Sequence, residues 1–304
     1  MQLVTYHSPA GPTPGVLLGE DIVPAASAAK AAGLDNRFAS MRELLTLHGA
    51  DALQRLGAGA QSVTARIPLT SVRLAPPVPD PDKIVCLALN YRDHAEEAGQ
   101  EIPEHPSWFA KFATSLIGPG DAVVLPAAHP DYVDYEAELA VVIGSVAKDV
   151  TAADALAYVA GAMPFNDVSA RDLQLENPLW ASGKAIDTFG PCGPALVTLD
   201  EIDDLQNLGV RTRLNGEIVQ EGDTRDQIFD VATVIAWLSR TLTLVPGDII
   251  ATGTPAGIDA LKGVFLRDGD TVEVEVEGLG SVINPVRAAS TDVQRTSEVE
   301  HAWR

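Results

Sequence analysis

Alternation of apolar and polar residues marks the clearest elements of this chain. In TVEVEVEGLGSVINPVR (271–287) apolar and polar positions alternate up to a glycine turn at Gly278 and Gly280, which predicts a β-hairpin. VRTRLNGEIVQ (210–220) sets Asn215-Gly216 between two extended runs, the strongest short hairpin signal. LVTYH (3–7) and GVLLGEDIVPA (15–25) predict strands joined by Gly/Pro turns. Further strands are predicted at KIVCLALNY (83–91), at DYEAELAVVIG (134–144), and at DIIATGTP (248–255) behind a Pro246-Gly247 turn. Helical spacing is rarer. Ser40-x-x-Glu43 is a capping box that opens a helix, with Met41, Leu44, Leu45, Leu47 and later Leu53 and Leu56 as its apolar positions. A second helix is expected near Thr151-x-x-Asp154, and a third from Asp230 to Leu242 behind an Asp N-cap.

Strands outnumber helices and do not alternate with them regularly. That argues against a Rossmann or TIM fold and predicts a β-rich α+β fold. APPVPDPDK (75–83) is too dense in proline to continue a helix or a central strand, so it predicts a boundary. The expected organisation is a small N-terminal α+β domain (1–75), a Pro-rich linker (76–82), a larger β-rich domain (83–289) and a polar, fraying tail (290–304). No internal repeat is present.

Composition narrows the function. The 304 residues include 21 Lys+Arg and 42 Asp+Glu, a formal net charge of −21. Such a chain repels phosphate backbones and anionic lipid, which argues against nucleic-acid and membrane partners. An anionic substrate would need positive charge supplied locally, by a metal or a few placed Lys and Arg. Cys86 and Cys192 form neither a disulfide framework nor a zinc pattern, and buried free thiols are expected. No apolar run reaches the roughly 18 residues that span a bilayer. MQLVTYHSPAG lacks the basic and apolar stretches of a signal peptide, so a cytoplasmic location is expected.

Carboxylates are the first candidate chemistry. Residues two apart in a strand share a face, so Asp134, Glu136 and Glu138 form one row, and Tyr135, Ala137, Leu139 and Val141 the other. Alternating acids commonly mark a solvated outer face, and Glu273, Glu275 and Glu277 fit that description. The row ending at Glu138 instead continues as Ala140, Val142 and Gly144, which predicts burial. Buried carboxylates need a cation, and an oxygen-only set points to Mg²⁺, Mn²⁺ or Ca²⁺ rather than zinc. PFNDVSARDLQ (164–174) offers Asp167 as a third carboxylate, with Arg171 and Gln174 three apart on a helical face. A capped helix start with a surface ion pair has the same pattern.

Proton transfer is the second. In NYRDHAEEAGQEIPEHP (90–106), His94 and Glu97 are neighbours on one helical turn. That is the layout of a general base, and also of a charged surface helix. Gly99, Pro103 and Pro106 punctuate the segment as in a lid. The Gly/Pro-rich loops SGKAIDTFGPCGP (182–194) and ATGTP (251–255) add Lys184 and Thr254. Backbone N–H groups of the second suit a carboxylate, although each loop is equally readable as structural.

Taken in order, LNYRDHAEE, PSWFAKFATSLIGPGD, DYEAELAVVIG, NDVSARDLQ, SGKAIDTFGP, LNGE, PGDIIATGTP and GDTVEVEVEGLG resemble the fumarylacetoacetate hydrolase family over residues 83–288. The resemblance implies mixed β-sheets rolled around an active site, and a homodimer or larger assembly. It places metal ligands for Mg²⁺ or Mn²⁺ on Glu136, Glu138 and Asp167, with Asp134 a neighbour. It places the catalytic histidine on His94 with Glu97 as partner, and the lysine on Lys184. Substrate contacts fall on Arg171, Gln174 and Thr254, with Lys111 near the pocket. One departure stands out: Cys86-Leu87-Ala88 lies where many relatives carry a glycine before LNY.

The reaction this implies is metal-dependent hydrolysis of a C–C bond in a small anionic 2-oxo acid of the acylpyruvate type. Decarboxylation of an oxaloacetate-type acid, or enol–keto tautomerisation and isomerisation, would use the same site. A non-catalytic metal-binding paralogue is the alternative of another class.

Overall fold

The computed structural model of the chain describes residues 1–49, 52–176, 178–258 and 262–289. The polar tail expected after Ala289 lies outside the described residues.

The larger sheet has eleven strands. Ten form a path: Ile67–Pro68, Asp21–Pro24, Gly11–Leu18, Gln2–Ser8, Leu196–Thr198, Val159–Asn166, Ala137–Ile143, Ile249–Ala251, Ile84–Leu87 and Trp108–Lys111. Leu74–Ala75 pairs with Gln2–Ser8 off that path. The N-terminal strands thus join the later ones through Gln2↔Val197 and Leu3↔Leu196. A second sheet orders Glu217–Asp223, Gly209–Leu214, Thr271–Val276, Gly280–Ala288 and Val123–Leu125. Both predicted hairpins are in it, and Asn215 and Gly216 take the positive φ that their turn requires.

Alternate residues of the central strand pack into different cores. Ala140 and Val142 join Leu3, Leu44, Leu56 and Met163. Leu139 and Val141 join Val274, Val276, Ile235 and Leu238. The first face is covered by the helices Ala25–Ala31, Met41–His48 and Leu53–Ser62. The second is covered by the smaller sheet and the helix Val231–Ser239. A strand buried on both faces reads as a continuous apolar run, which is what LAVVI (139–143) is. Cys86 and Cys192 are free and buried in the first core.

Several elements end sooner than the apolar pattern predicts. The helix expected from Ser40 is two, because Gly49 closes Met41–His48 at φ +67° and Leu53–Ser62 starts afresh. The Ser40 cap forms by accepting the Glu43 N–H, while the Glu43 carboxylate reaches back one residue further, to the Ala39 N–H. The helix expected near Thr151 is a turn followed by a 3-10 helix over Ala155–Tyr158. There the Thr151 hydroxyl donates to the Asp154 carboxylate, a local pairing that competes with helical capping. Asp230 does cap its helix by accepting the Thr233 N–H, and the helix ends at Ser239. Only Ile84–Leu87 of the expected 83–91 strand is extended in the sheet. The 134–144 strand is broken, with Val133–Asp134 and Ala137–Ile143 as separate pieces.

Gly161 sits where the Val159–Asn166 strand meets Leu196–Thr198, and a Cβ there would lie 2.1 Å from the Val197 carbonyl oxygen. Gly161→Ala is therefore expected to cost about 1–3 kcal/mol. That corresponds to melting about 2–5 °C lower for a chain of this length. An unchanged thermal melt would contradict this packing.

Candidate metal centre and active site

The break in the 134–144 strand builds the site. One antiparallel ladder ends at Ala137↔Asn166, and a second begins at Asp134↔Ser169. Between them Glu136 and Asp167 face each other without a regular ladder. The Glu136 N–H donates to Asn166 Oδ1 at 3.0 Å, and the Asp167 N–H donates to the Glu136 carbonyl at 2.9 Å. Backbone groups are thus satisfied while both carboxylates turn inward. With Glu138, one residue into the sheet, they bring three carboxylates together, each offering an oxygen within 4.8 Å of the others. All three are buried.

Cations surround this triad. Lys184 donates to Glu136 Oε2 at 2.7 Å and to Asp167 Oδ2 at 2.8 Å. Lys111 donates to Asp167 Oδ1 at 2.6 Å. Arg171 donates to Glu136 Oε1 at 2.5 Å, to Gln174 Oε1 at 3.0 Å, and through Nε and Nη2 to Asp134 at 3.0 and 2.8 Å. Burial alone would raise the Glu136 carboxyl, but Lys184 and Arg171 outweigh it and hold it at about 2. Burial would lower Lys184, but Asp167 and Glu136 keep its ammonium charged.

Glu138 has no such cation in contact. Its Oε2 accepts the Gly253 N–H at 2.9 Å, while its buried Oε1 has no hydrogen-bond partner. Burial, and then the charges of Asp167 and Glu136, push its carboxyl well above the usual range. With all four ionised, the buried carboxylates (Asp134, Glu136, Glu138, Asp167) would outnumber the three cations (Lys111, Arg171, Lys184) by one negative charge. An orphaned inward oxygen, an excess of carboxylates over cations and oxygen-only donors suit a hard divalent cation, which Glu136, Glu138 and Asp167 would hold.

The loop after Ile249–Ala251 connects this centre to the histidine. Its backbone N–H groups do bind carboxylates, but the protein's own. Gly253 serves Glu138, Ala256 serves Asp93 at 3.3 Å, and Gly257 serves Glu97 at 2.9 Å. Asn90 donates to the Thr252 carbonyl, which ties the start of the Arg92–Glu97 helix to the same loop. On that helix His94 Nδ1 lies 3.7 Å from Glu97 Oε2, an ion-pair distance beyond hydrogen-bond length, and Nδ1 is buried without a hydrogen-bond partner.

A family model described as fumarylacetoacetate (FAA) hydrolase C-terminal matches residues 83–287. The chain belongs to the fumarylacetoacetate hydrolase family. Its similarity to the oxaloacetate tautomerase Fahd2a, mitochondrial, of Rattus norvegicus is 46% identity over 237 residues, 76% of this chain and 75% of that protein. Among solved structures it is similar to the 5-carboxymethyl-2-hydroxymuconate delta-isomerase of Mycobacterium smegmatis, with 34% identity and a TM-score of 0.75, covering 95% of this chain and 100% of that one. It is also similar to the maleylpyruvate hydrolase of Sphingobium sp. SYK-6, solved with manganese (II) ion and pyruvate. That match has 30% identity and a TM-score of 0.76, covering 95% of this chain and 100% of that one. Members of this family are enzymes, with hydrolases, isomerases and tautomerases among them. The sheet-rich α+β architecture is the fold of these relatives.

In this family member the structure gathers Glu136, Glu138, Asp167, Lys111, Lys184, Arg171 and Gln174 into one buried cluster. His94 and Glu97 share a helix pinned to the Gly253–Gly257 loop. The Thr254 hydroxyl is turned into the protein, where it donates to the Ala137 carbonyl at 2.9 Å and accepts from Gln220. Cys86, the first residue of the Cys86-Leu87-Ala88 run, is buried opposite Ala251 and Phe109. Sequence reasoning missed Gln220 and Asn166, which hold the Glu136–Ala137 backbone from the side. Their only local signals are a polar residue at the end of a hairpin and one at the end of an apolar strand. Among the described residues no helix is long and apolar enough to cross a membrane.

Proposed function

We propose that this protein is a divalent-metal-dependent enol–keto tautomerase of a small 2-oxo dicarboxylate of the oxaloacetate type. The observation that carries this reading is a buried three-carboxylate centre joined through one loop to a His–Glu pair. The names of the relatives near 46% identity favour tautomerisation among the reactions such a site can run. Glu136, Glu138 and Asp167 would hold Mg²⁺ or Mn²⁺, with Ca²⁺ the weaker alternative. When bound, the metal supplies a Lewis acid and a template for the carboxylate and 2-oxo oxygens.

Ketonisation removes one proton from the enol oxygen and delivers one to C3, as the C2=C3 double bond becomes the C2=O carbonyl. His94 moves that proton, and the Glu97 carboxylate favours the imidazolium that forms in between. Lys184 and Lys111 place positive charge beside the triad, where charge develops on the enol oxygen. The substrate enters by a cleft of about 440 Å³ lined by Ala88, Ser107, Trp108, Phe109, Leu179 and Trp180. Lys184 Nζ lies 5.1 Å from the centre of the Phe109 ring, so that ring borders both cleft and centre.

Hydrolytic cleavage of an acylpyruvate is the second reading, favoured by the similarity to a maleylpyruvate hydrolase. His94 would then take a proton from the water that attacks the distal carbonyl. The homodimer belongs to either reading, and light scattering tests it. Turnover of both substrate types separates the two reactions. In either reading, EDTA should abolish activity and Mn²⁺ should restore it. Activity that survives exhaustive chelation would remove the metal from the account.

A further inference from the structure

The edge of the Ala137–Ile143 strand nearest the triad is finished by side chains rather than by a strand. Its neighbour Ile249–Ala251 pairs with it only as far as Ala140↔Ala251. Beyond that, the Leu139 carbonyl accepts from both the N–H and the hydroxyl of Thr252, at 3.0 and 2.8 Å. At Ala137 both backbone groups are taken by side chains. Its N–H donates to Gln220 Oε1 at 3.0 Å, and its carbonyl accepts from Thr254 Oγ1 at 2.9 Å.

Gln220 and Thr254 are themselves locked together. Gln220 Nε2 donates to Thr254 Oγ1 at 2.6 Å and to the Pro255 carbonyl at 2.8 Å, and Oε1 also accepts from Thr212 Oγ1 at 2.8 Å. Both amide hydrogens and two acceptor sites are used, and the residue is buried. It reaches across from the smaller sheet, so the clamp bridges two layers of the fold. Ala137 is the residue between Glu136 and Glu138. Its N–H and carbonyl therefore set the spacing and tilt of two carboxylates of the triad.

We propose that Gln220 and Thr254 are positioning residues for the metal centre, which by clamping Ala137 hold Glu136 and Glu138 at the separation a small hard cation requires. This rests on the reading of the triad as a metal site. Mg²⁺ and Mn²⁺ sites tolerate little displacement of their ligands. Groups that orient ligands without touching the metal commonly change affinity about 10- to 100-fold when removed. Thr254 thereby acts on the centre through Ala137.

The test is Mn²⁺ affinity of the full chain, from the electron paramagnetic resonance signal of free Mn²⁺, well below the melting temperature of each variant. Gln220→Met keeps the volume and removes the hydrogen bonds. Thr254→Val removes the hydroxyl, and Thr254→Ser keeps it. The expected result is a Kd raised about 10- to 100-fold in Gln220→Met and Thr254→Val. Thr254→Ser should stay within about threefold, and the double variant should be little worse than the weaker single one. Should Gln220→Met fail to fold, the Thr254→Ser and Thr254→Val pair decides. Unchanged affinity in a folded variant, or equal losses in Ser and Val, would overturn the inference. Wild-type protein that binds no Mn²⁺ would instead overturn the metal site itself, and the inference with it.

Discussion

Glu138→Gln is expected to abolish metal-dependent stabilisation and turnover while leaving the metal-free protein at least as stable as wild type. The two halves have one cause. Four buried carboxylates face three cations, and Glu138 is the one with no cation in contact. Without metal its charge is a burden, because burial and its neighbours oppose it. The replacing amide still accepts the Gly253 N–H, and its N–H₂ turns toward the oxygens of Glu136 and Asp167. With metal at about 100 times its Kd, wild type should gain about 2.7 kcal/mol of stability, and the variant none. Thermal melts with EDTA and with Mn²⁺ measure both effects. A retained metal shift would remove Glu138 from the ligand set, and a large loss of metal-free stability would refute the charge argument. Substituting Asp167 is less clean, because Lys111 and Lys184 would lose their shared partner.

His94→Ala should have the opposite signature. Metal affinity should stay within about threefold of wild type, and turnover should fall about 10²- to 10⁴-fold, the usual contribution of a positioned acid–base group. Glu97→Gln should cost less, about tenfold, because Glu97 acts only through the imidazole. Steady-state rates beside a Mn²⁺ titration separate the effects. Wild-type turnover without His94 would assign proton transfer elsewhere, and lost metal binding would give His94 a different role.

Much of this fold is legible in local pattern. The hairpin at Asn215-Gly216 and the alternation over 271–287 are decided by neighbours in sequence, so they form where the sequence predicts them. Burial of the acid row at Glu138 is legible too, because the same face continues as Ala140 and Val142. Strand ends are not legible in this way. The break at Tyr135–Glu136 depends on Asn166 and Asp167, which lie 30 residues along the chain. The helix expected at Thr151 fails because Thr151 and Asp154 satisfy each other. Gln220 is the clearest miss. Its alternating hairpin context gives it no distinction, yet its partners come from Ala137, Thr212, Thr254 and Pro255. A buried amide that serves distant segments carries no period for a sequence to display.

The central claim is metal-dependent proton transfer on a 2-oxo acid. The most direct measurement is the decay of oxaloacetate enol to keto form, with EDTA and then with added Mg²⁺ or Mn²⁺. Products are followed by NMR, with Glu138→Gln as the background. The account predicts ketonisation by wild type that requires metal, with no pyruvate or CO₂ beyond that background. Decay equal to the Glu138→Gln background at every metal concentration, with acetylpyruvate cleaved to acetate and pyruvate, would contradict it and assign the site to C–C hydrolysis.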